Sequence, residues 1–389
     1  MKVREFNNKI IKKIIQVFSF CLYVSLFLVV FMARIDQFVW RTDIVSFITG
    51  ARIVRFGEGE NLYDLSVQQK HQSIVTKPNK LILLPYRNLP LLASFYIPLT
   101  YISLYSAYQI YALVLIVFTT FISWFSTRVF ENLKNSYWFI LPFAFYPTLS
   151  VIFYGQNSTF LVLAFMSIYY YLRKDKPFIV GIILGLLFLK IQYILCLPYV
   201  CFLLNKKPKF FKGLFISTLF VFLGSIYISG FGFFEEYIRM LIKTESPVYG
   251  TKATTMFPLF SSMSQILPLA KQYLLIINMA FYVLSIWLFS KNHYKFSLQI
   301  NFAILALLTL VFCIHGGYFD MALLIVPLWL LIDIYKGSNN FNLENILVIF
   351  IIIFSSLFLE LGLSFAVPFL FLLSVALLFN KSNLLVALK

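Results

Sequence analysis

Acid is what this sequence is short of: Asp and Glu number 15 against 32 Lys and Arg in 389 residues, and charged residues of both signs make up only 12%. So little charge excludes the solvated, disordered class of chain. Histidine occurs three times. Beside His315 no second His or carboxylate stands at metal-ligand spacing, so neither a metal centre nor a cofactor is expected. The four cysteines, Cys21, Cys196, Cys201 and Cys313, lie in or beside apolar stretches without C-x-x-C spacing. They read as small core residues, not as a disulfide framework or metal site. A stretch long enough for a soluble domain is also missing. The net charge of +17 therefore has no domain to act as a nucleic-acid footprint, and no nucleic-acid partner is expected.

What fills the chain is apolar. It is 61% hydrophobic with a mean hydropathy of +0.86, where globular chains run roughly 45–50% apolar. Runs long enough to cross about 30 Å of hydrocarbon recur along nearly its whole length. The first, about Ile14 to Met32, follows a basic segment and lacks a small-residue cleavage site, so it reads as a retained helix. The expectation is an all-α, polytopic membrane protein forming one domain over residues 1–389, with membrane lipids as its surroundings.

Basic residues cluster between the apolar runs, the pattern of the positive-inside rule. Lys2 to Lys13, Arg173 to Lys176, Lys206 to Lys212, Lys291 with Lys295, Lys336 and the tail from Lys381 form one set, assigned to the cytoplasm. Helices are expected over about 14–34, 104–127, 137–154, 157–172, 178–189, 191–204, 213–230, 268–289, 298–314, 318–335, 343–360 and 362–380. That makes roughly twelve crossings of a bacterial cell membrane, with both termini cytoplasmic. Residues 88–103 are apolar but broken by Pro90 and Pro98, and read either as an interfacial helix or as a separate span. The 178–204 stretch is long for one span and short for two. Two short helices meeting at a polar apex around Lys190 satisfy the charge parity. The two sizeable loops, 36–87 and 231–267, fall on the extracytoplasmic side. No repeat of fixed period and no inverted symmetry of the transporter kind is present.

The unusual polar residues gather on that same side. Asp43 follows the first apolar run and precedes an amphipathic stretch through Ile44, Phe47, Ile48, Ala51 and Val54. It has two compatible readings, a helix N-cap and a general base able to take a proton from a hydroxyl. Gly155-Gln156-Asn157 reads as a hairpin turn whose amides suit sugar hydroxyls; the sequon Asn157-Ser158-Thr159 is discounted in so tight a turn. Lys190 near mid-membrane costs about 2.5–3.5 kcal/mol on insertion scales. It calls for a polar cavity or an anion, with snorkelling as the alternative. Asp320, after His315, either orients the histidine ring or caps the next helix. Glu235-Glu236 reads as a surface pair at a helix start.

These features in this order resemble glycosyltransferase family 87, the polyprenol-phosphate-mannose-dependent alpha-mannosyltransferases of the GT-C superfamily. The likeness is carried by Asp43 and its helix, Gly59 to Asp64, the Pro85 to Pro98 re-entry and Gly155-Gln156-Asn157. It continues through Pro177, Gly181 and Gly185 to Lys190-Ile191-Gln192, and ends on His315, Tyr318 and Asp320. Where the family commonly has Tyr-Pro-Pro at re-entry, this chain has Pro85-Tyr86 and a separate Pro90, and the preceding loop is short. The resemblance implies a GT-C-type bundle with extracytoplasmic juxtamembrane helices. It also implies a polyprenyl-phosphate-linked sugar donor and a glycolipid or glycan acceptor. Asp43 would act as base, with His315 as phosphate partner or as a helper positioning it. Lys190, Gln192, Gln156, Asn157, Arg52 and Tyr318 would hold the donor phosphate and sugar, and Tyr63, Tyr86 and Arg87 would lie on the acceptor side. Two other classes fit the composition. A polysaccharide polymerase or ligase generally places its major outer loop in the second half of the chain. A lipid or sugar transporter would show paired broken helices in matching halves.

Overall fold

The computed structural model describes residues 38–76, 82–133, 140–204, 207–244, 258–267, 269–313, 315–338 and 343–386. The expected first helix over 14–34 lies outside them. All regular elements described are helical, and no strand occurs among them. In chain order they are α1 (Ile44–Arg55), α2 (Leu65–Val75), α3 (Pro90–Ser94), α4 (Leu104–Val129), α5 (Leu141–Ala144), α6 (Tyr146–Tyr154), α7 (Ser158–Arg173), α8 (Pro177–Leu186) and α9 (Leu197–Leu203). There follow α10 (Pro208–Ser229), α11 (Phe233–Thr244), α12 (Leu259–Ile266), α13 (Lys271–Asn292), α14 (Leu298–Phe312), α15 (Ile325–Ser338), α16 (Leu343–Glu360) and α17 (Val367–Val386). Several starts follow from local chemistry. Pro177 and Pro208 sit in the first turn, where a missing N–H costs nothing. Asp64 caps α2 by accepting from Ser66 N at 2.7 Å.

Four runs among the described residues are long and apolar enough to cross a bilayer: Leu104–Val129, Pro177–Leu203, Pro208–Ser229 and Lys271–Lys295. Other expected spans are shorter or interrupted. The 137–154 segment breaks at Phe145, where Pro147 enters the first turn of α6. The 318–335 segment opens as a 3-10 turn over Tyr318–Leu324. Residues 88–103 form only α3 and a 3-10 turn over Ile97–Tyr101, too short to span. Helix α14, 15 residues long and apolar, is buried in protein along nearly its whole length.

The Pro177–Leu203 run has the length of one span but folds back on itself. Lys207 pairs with Asp175, so the chain before α8 and after α9 meets at one end of the bundle. Helices α8 and α10 then run parallel, Phe178 beside Gly213 and Gly185 beside Ser217. Between α8 and α9 the backbone tightens to 3-10 geometry over Leu187–Cys196 and leaves helical angles at Lys190 (φ −126°, ψ 71°). Irregular backbone at such depth is tolerated where it lines a cavity.

The α8–α10 crossing is close because small residues face each other, Gly181 and Gly185 against Gly213 and Ser217. A Cβ on Gly181 would lie 2.1 Å from the Phe210 carbonyl oxygen. Gly181→Leu is therefore expected to destabilise the fold by about 1–3 kcal/mol or more through overpacking. Thermal unfolding in detergent would check this, and an unchanged midpoint would contradict the packing described.

Candidate active site

Asp43 occupies the position before α1, but its carboxylate makes no capping bond. Its backbone N–H donates instead to the Tyr154 carbonyl at 3.0 Å, which ties the start of α1 to the end of α6. Gly155 makes that junction possible. It adopts φ +64°, and an added Cβ would meet Ile44 Cβ at 3.1 Å. Gln156 N–H closes the turn onto Val151 O at 2.9 Å, the helix-ending pattern in which a left-handed glycine reverses the chain. The turn thus carries the Gln156 amide to the Asp43 carboxyl.

The environment of Asp43 is mixed. The side chain keeps some accessible surface, yet protein surrounds it deeply enough that desolvation raises its pKa above the ordinary carboxylate value. The Gln156 hydrogen bond and the positive charges of Arg87 and Lys190 oppose that rise, while Asp320 adds to it. A carboxylate raised in this way has more affinity for a proton than one in water, and it remains a base as long as the medium ionises it.

The second group of polar residues assembles at the apex of the α8–α9 fold. Lys190 Nζ lies 2.7 Å from Asp320 Oδ1 and donates to Ser158 Oγ at 2.9 Å. Ser158 donates to the same Asp320 oxygen at 2.5 Å, and Gly317 N–H to the other at 3.2 Å. The Lys190 side chain is 12% exposed and that of Asp320 only 2%. Buried charge is thereby paired and hydrogen-bonded, the condition under which it is tolerated. The arrangement gives the Lys190 charge its partners inside the protein.

Beside this cluster lies a groove of about 640 Å³, walled by the 92–99 re-entry, α4, α7 and the α8–α9 fold. Its lining is almost wholly apolar, with Lys190, Asn157, Tyr96, Tyr111 and Ser167 as the polar exceptions. Tyr96 and Tyr111 share a hydrogen bond at 2.9 Å. Phe95 and Leu186 stand exposed at the edge.

The other expected residues divide. Tyr318 packs against Tyr154 with ring centroids 5.3 Å apart, close enough for its hydroxyl to feel the charge of Asp43. His315 is half-buried on the turn that leads to Tyr318, and Gln192 lies half-buried two residues beyond Lys190. Arg87 reaches Thr244 through its oxygen at 2.6 Å and its hydroxyl at 3.2 Å, holding the re-entry to α11 with its charge felt at Asp43. Tyr63 and Tyr86 turn inward. Their hydroxyls donate to Asn88 O at 2.8 Å and Leu89 O at 3.0 Å, bracing the re-entry. Arg52 sits nine residues along α1 from Asp43, about 13 Å at helical rise, and lines a different cavity. No group of three or more His, Cys, Asp or Glu able to hold a metal occurs among the described residues.

The site also includes Ser158, which the sequence reading did not place in it, and it gives Asp320 a partner, Lys190, that neither of its two expected roles named. Ser158 had no distinguishing signal outside its discounted sequon. Asp320 had one: an acid between apolar segments in an acid-poor chain must meet a cation.

Comparison with known proteins bears on residues that carry this geometry. The model of glycosyltransferase family 87 matches residues 88–314, which include the re-entry, the groove walls and Lys190. No curated protein and no solved structure matches the chain. With more than half of its length matched to that family model, the chain belongs to glycosyltransferase family 87 and is a membrane-embedded glycosyltransferase.

Proposed function

We propose that the enzyme transfers a hexose, mannose by family resemblance, from a polyprenyl-phosphate sugar to a lipid-linked or envelope glycan acceptor on the extracytoplasmic face. The observation that carries this reading is the apolar groove reaching Lys190, whose charge acts on the uncapped Asp43 carboxylate. A sugar donor with a hydrocarbon tail needs both features: an apolar channel for the chain and a cation where the phosphate stops.

The chemistry follows from the groups present. Asp43 accepts the proton of an acceptor hydroxyl, whose oxygen forms a bond to the anomeric carbon as the bond from that carbon to the phosphate oxygen breaks. One displacement inverts the anomeric centre. The leaving group is a phosphate monoester, already a stable anion, so no second carboxylic acid is needed. Lys190 stabilises the charge that develops on it, and the amides of Gln156 and Asn157 hold sugar hydroxyls. Asp43 then releases its proton to water.

Asp43 works as a base only when ionised. Because burial raises its pKa, transfer is expected to decline on the acid side as pH falls through a value above the ordinary carboxylate range. A kcat–pH profile of reconstituted protein checks this, and a profile flat down to pH about 4 would count against the assignment. The function itself is tested with purified protein in liposomes, a polyprenyl-phosphate mannose and a glycolipid acceptor. An inverted glycosidic product supports the reading; solute counterflow without product removes it.

A further inference from the structure

A second cavity lies beyond the one that serves the donor. It measures about 160 Å³ and is bounded by α1, the end of α2 and the start of α4, with Arg52, Thr100 and Ser103 among its lining residues. That is several times the roughly 30 Å³ share of one water, room for a phosphate group with attendant water. Arg52 Nε is buried and has no hydrogen-bond partner among the described residues. Glu58, an acid of the same loop, is occupied by Lys70 at 3.2 Å and faces His71 at 3.4 Å. A buried guanidinium donor left unpaired is costly, and an anion in the cavity removes the cost.

The walls are built for such a ligand. Arg55 donates to Thr100 O at 3.0 Å and to its hydroxyl at 3.2 Å, while stacking on Tyr101 at 3.6 Å. This clamps the 97–101 turn against α1. Ser103 caps α4, a 26-residue helix whose positive end therefore opens at the cavity. Around the rim Tyr101 is 65% exposed, Phe56 52%, Ile74 43% and Ile102 40%. Exposed aromatic and apolar residues at the head of a membrane-length helix mark the headgroup level of a bilayer.

We infer that this cavity is a phosphate-binding site for the headgroup of an anionic membrane lipid, separate from the groove and independent of the sugar-transfer reading. The exposed apolar rim is what selects a lipid phosphate over a free one.

Native mass spectrometry of the purified full chain in neutral detergent tests the site, with phosphatidylglycerol, phosphatidylcholine and inorganic phosphate as separate probes. Phosphatidylglycerol is expected to bind with a saturable component that Arg52→Gln weakens at least about tenfold, the loss of one charged hydrogen bond. Arg52→Lys should recover part of it. Arg128→Gln, an exposed arginine at the far end of α4, should leave it unchanged. Equal binding by Arg52→Gln and wild type overturns the proposal, as does inorganic phosphate binding as tightly as the lipid. Hydrogen exchange on wild type gives a reading free of folding defects: amides of residues 100–105 should slow on adding phosphatidylglycerol, and no change there also overturns it.

Discussion

Asp43→Asn should reduce turnover by roughly 10²–10⁴-fold, the range general base catalysis supplies, while leaving donor binding nearly intact. The substitution keeps the shape of the side chain and its contact with Gln156 but removes the group that accepts the proton. Because the wild-type carboxylate makes no capping bond, little helix stability is lost, so a fall in rate reports chemistry and not unfolding. The discriminating measurement is single-turnover transfer in liposomes beside donor binding by the same preparation. Transfer at the wild-type rate would end the base assignment; loss of folding in the variant would show that the carboxylate has a structural duty the geometry does not reveal.

Lys190→Met is the second large expectation, and its effect has two parts. Removing the ammonium leaves Asp320 buried without its cation, which costs about 3–5 kcal/mol where one partner of a buried pair is deleted. It also removes the cation expected to meet the leaving phosphate. The double variant Lys190→Met/Asp320→Asn separates them. Neutralising Asp320 takes away the orphaned charge, so most of the unfolding midpoint should return, while transfer stays depressed. Recovery of transfer together with stability would show that the pair holds the fold and takes no part in catalysis. Arg87, whose charge also acts on Asp43, would then be the next candidate for the phosphate.

Much of this was legible before any coordinates, and the reasons differ by residue. The break at Lys190 could be read because a charge inside an apolar run cannot be hidden by composition. Asp43 stood out because acids are rare and its position follows a membrane-length run. Arg52 shows where such reasoning stops. It shares a helix with Asp43, but neighbours in sequence are not neighbours in space once a helix carries them two or three turns apart. The role of Ser158 depends on Lys190, 32 residues away, and on Asp320, 162 residues away; no spacing rule reaches that far. Helix α14 was legible as a helix but not as a buried one, since burial within protein and burial in lipid select the same side chains.

The bond from Asp43 N–H to the Tyr154 carbonyl has a mechanical consequence. Bilayers differ in thickness, and helices answer by tilting, which shifts side chains borne on separate elements relative to one another. Here Asp43, the proposed base, and Gln156, its amide partner, are fastened main chain to main chain across one tight turn. They ride together as a single piece, so on the proposed mechanism the angle between proton acceptor and sugar is insulated from the membrane that surrounds it. Side chains elsewhere on α1 can change without loosening that fastening.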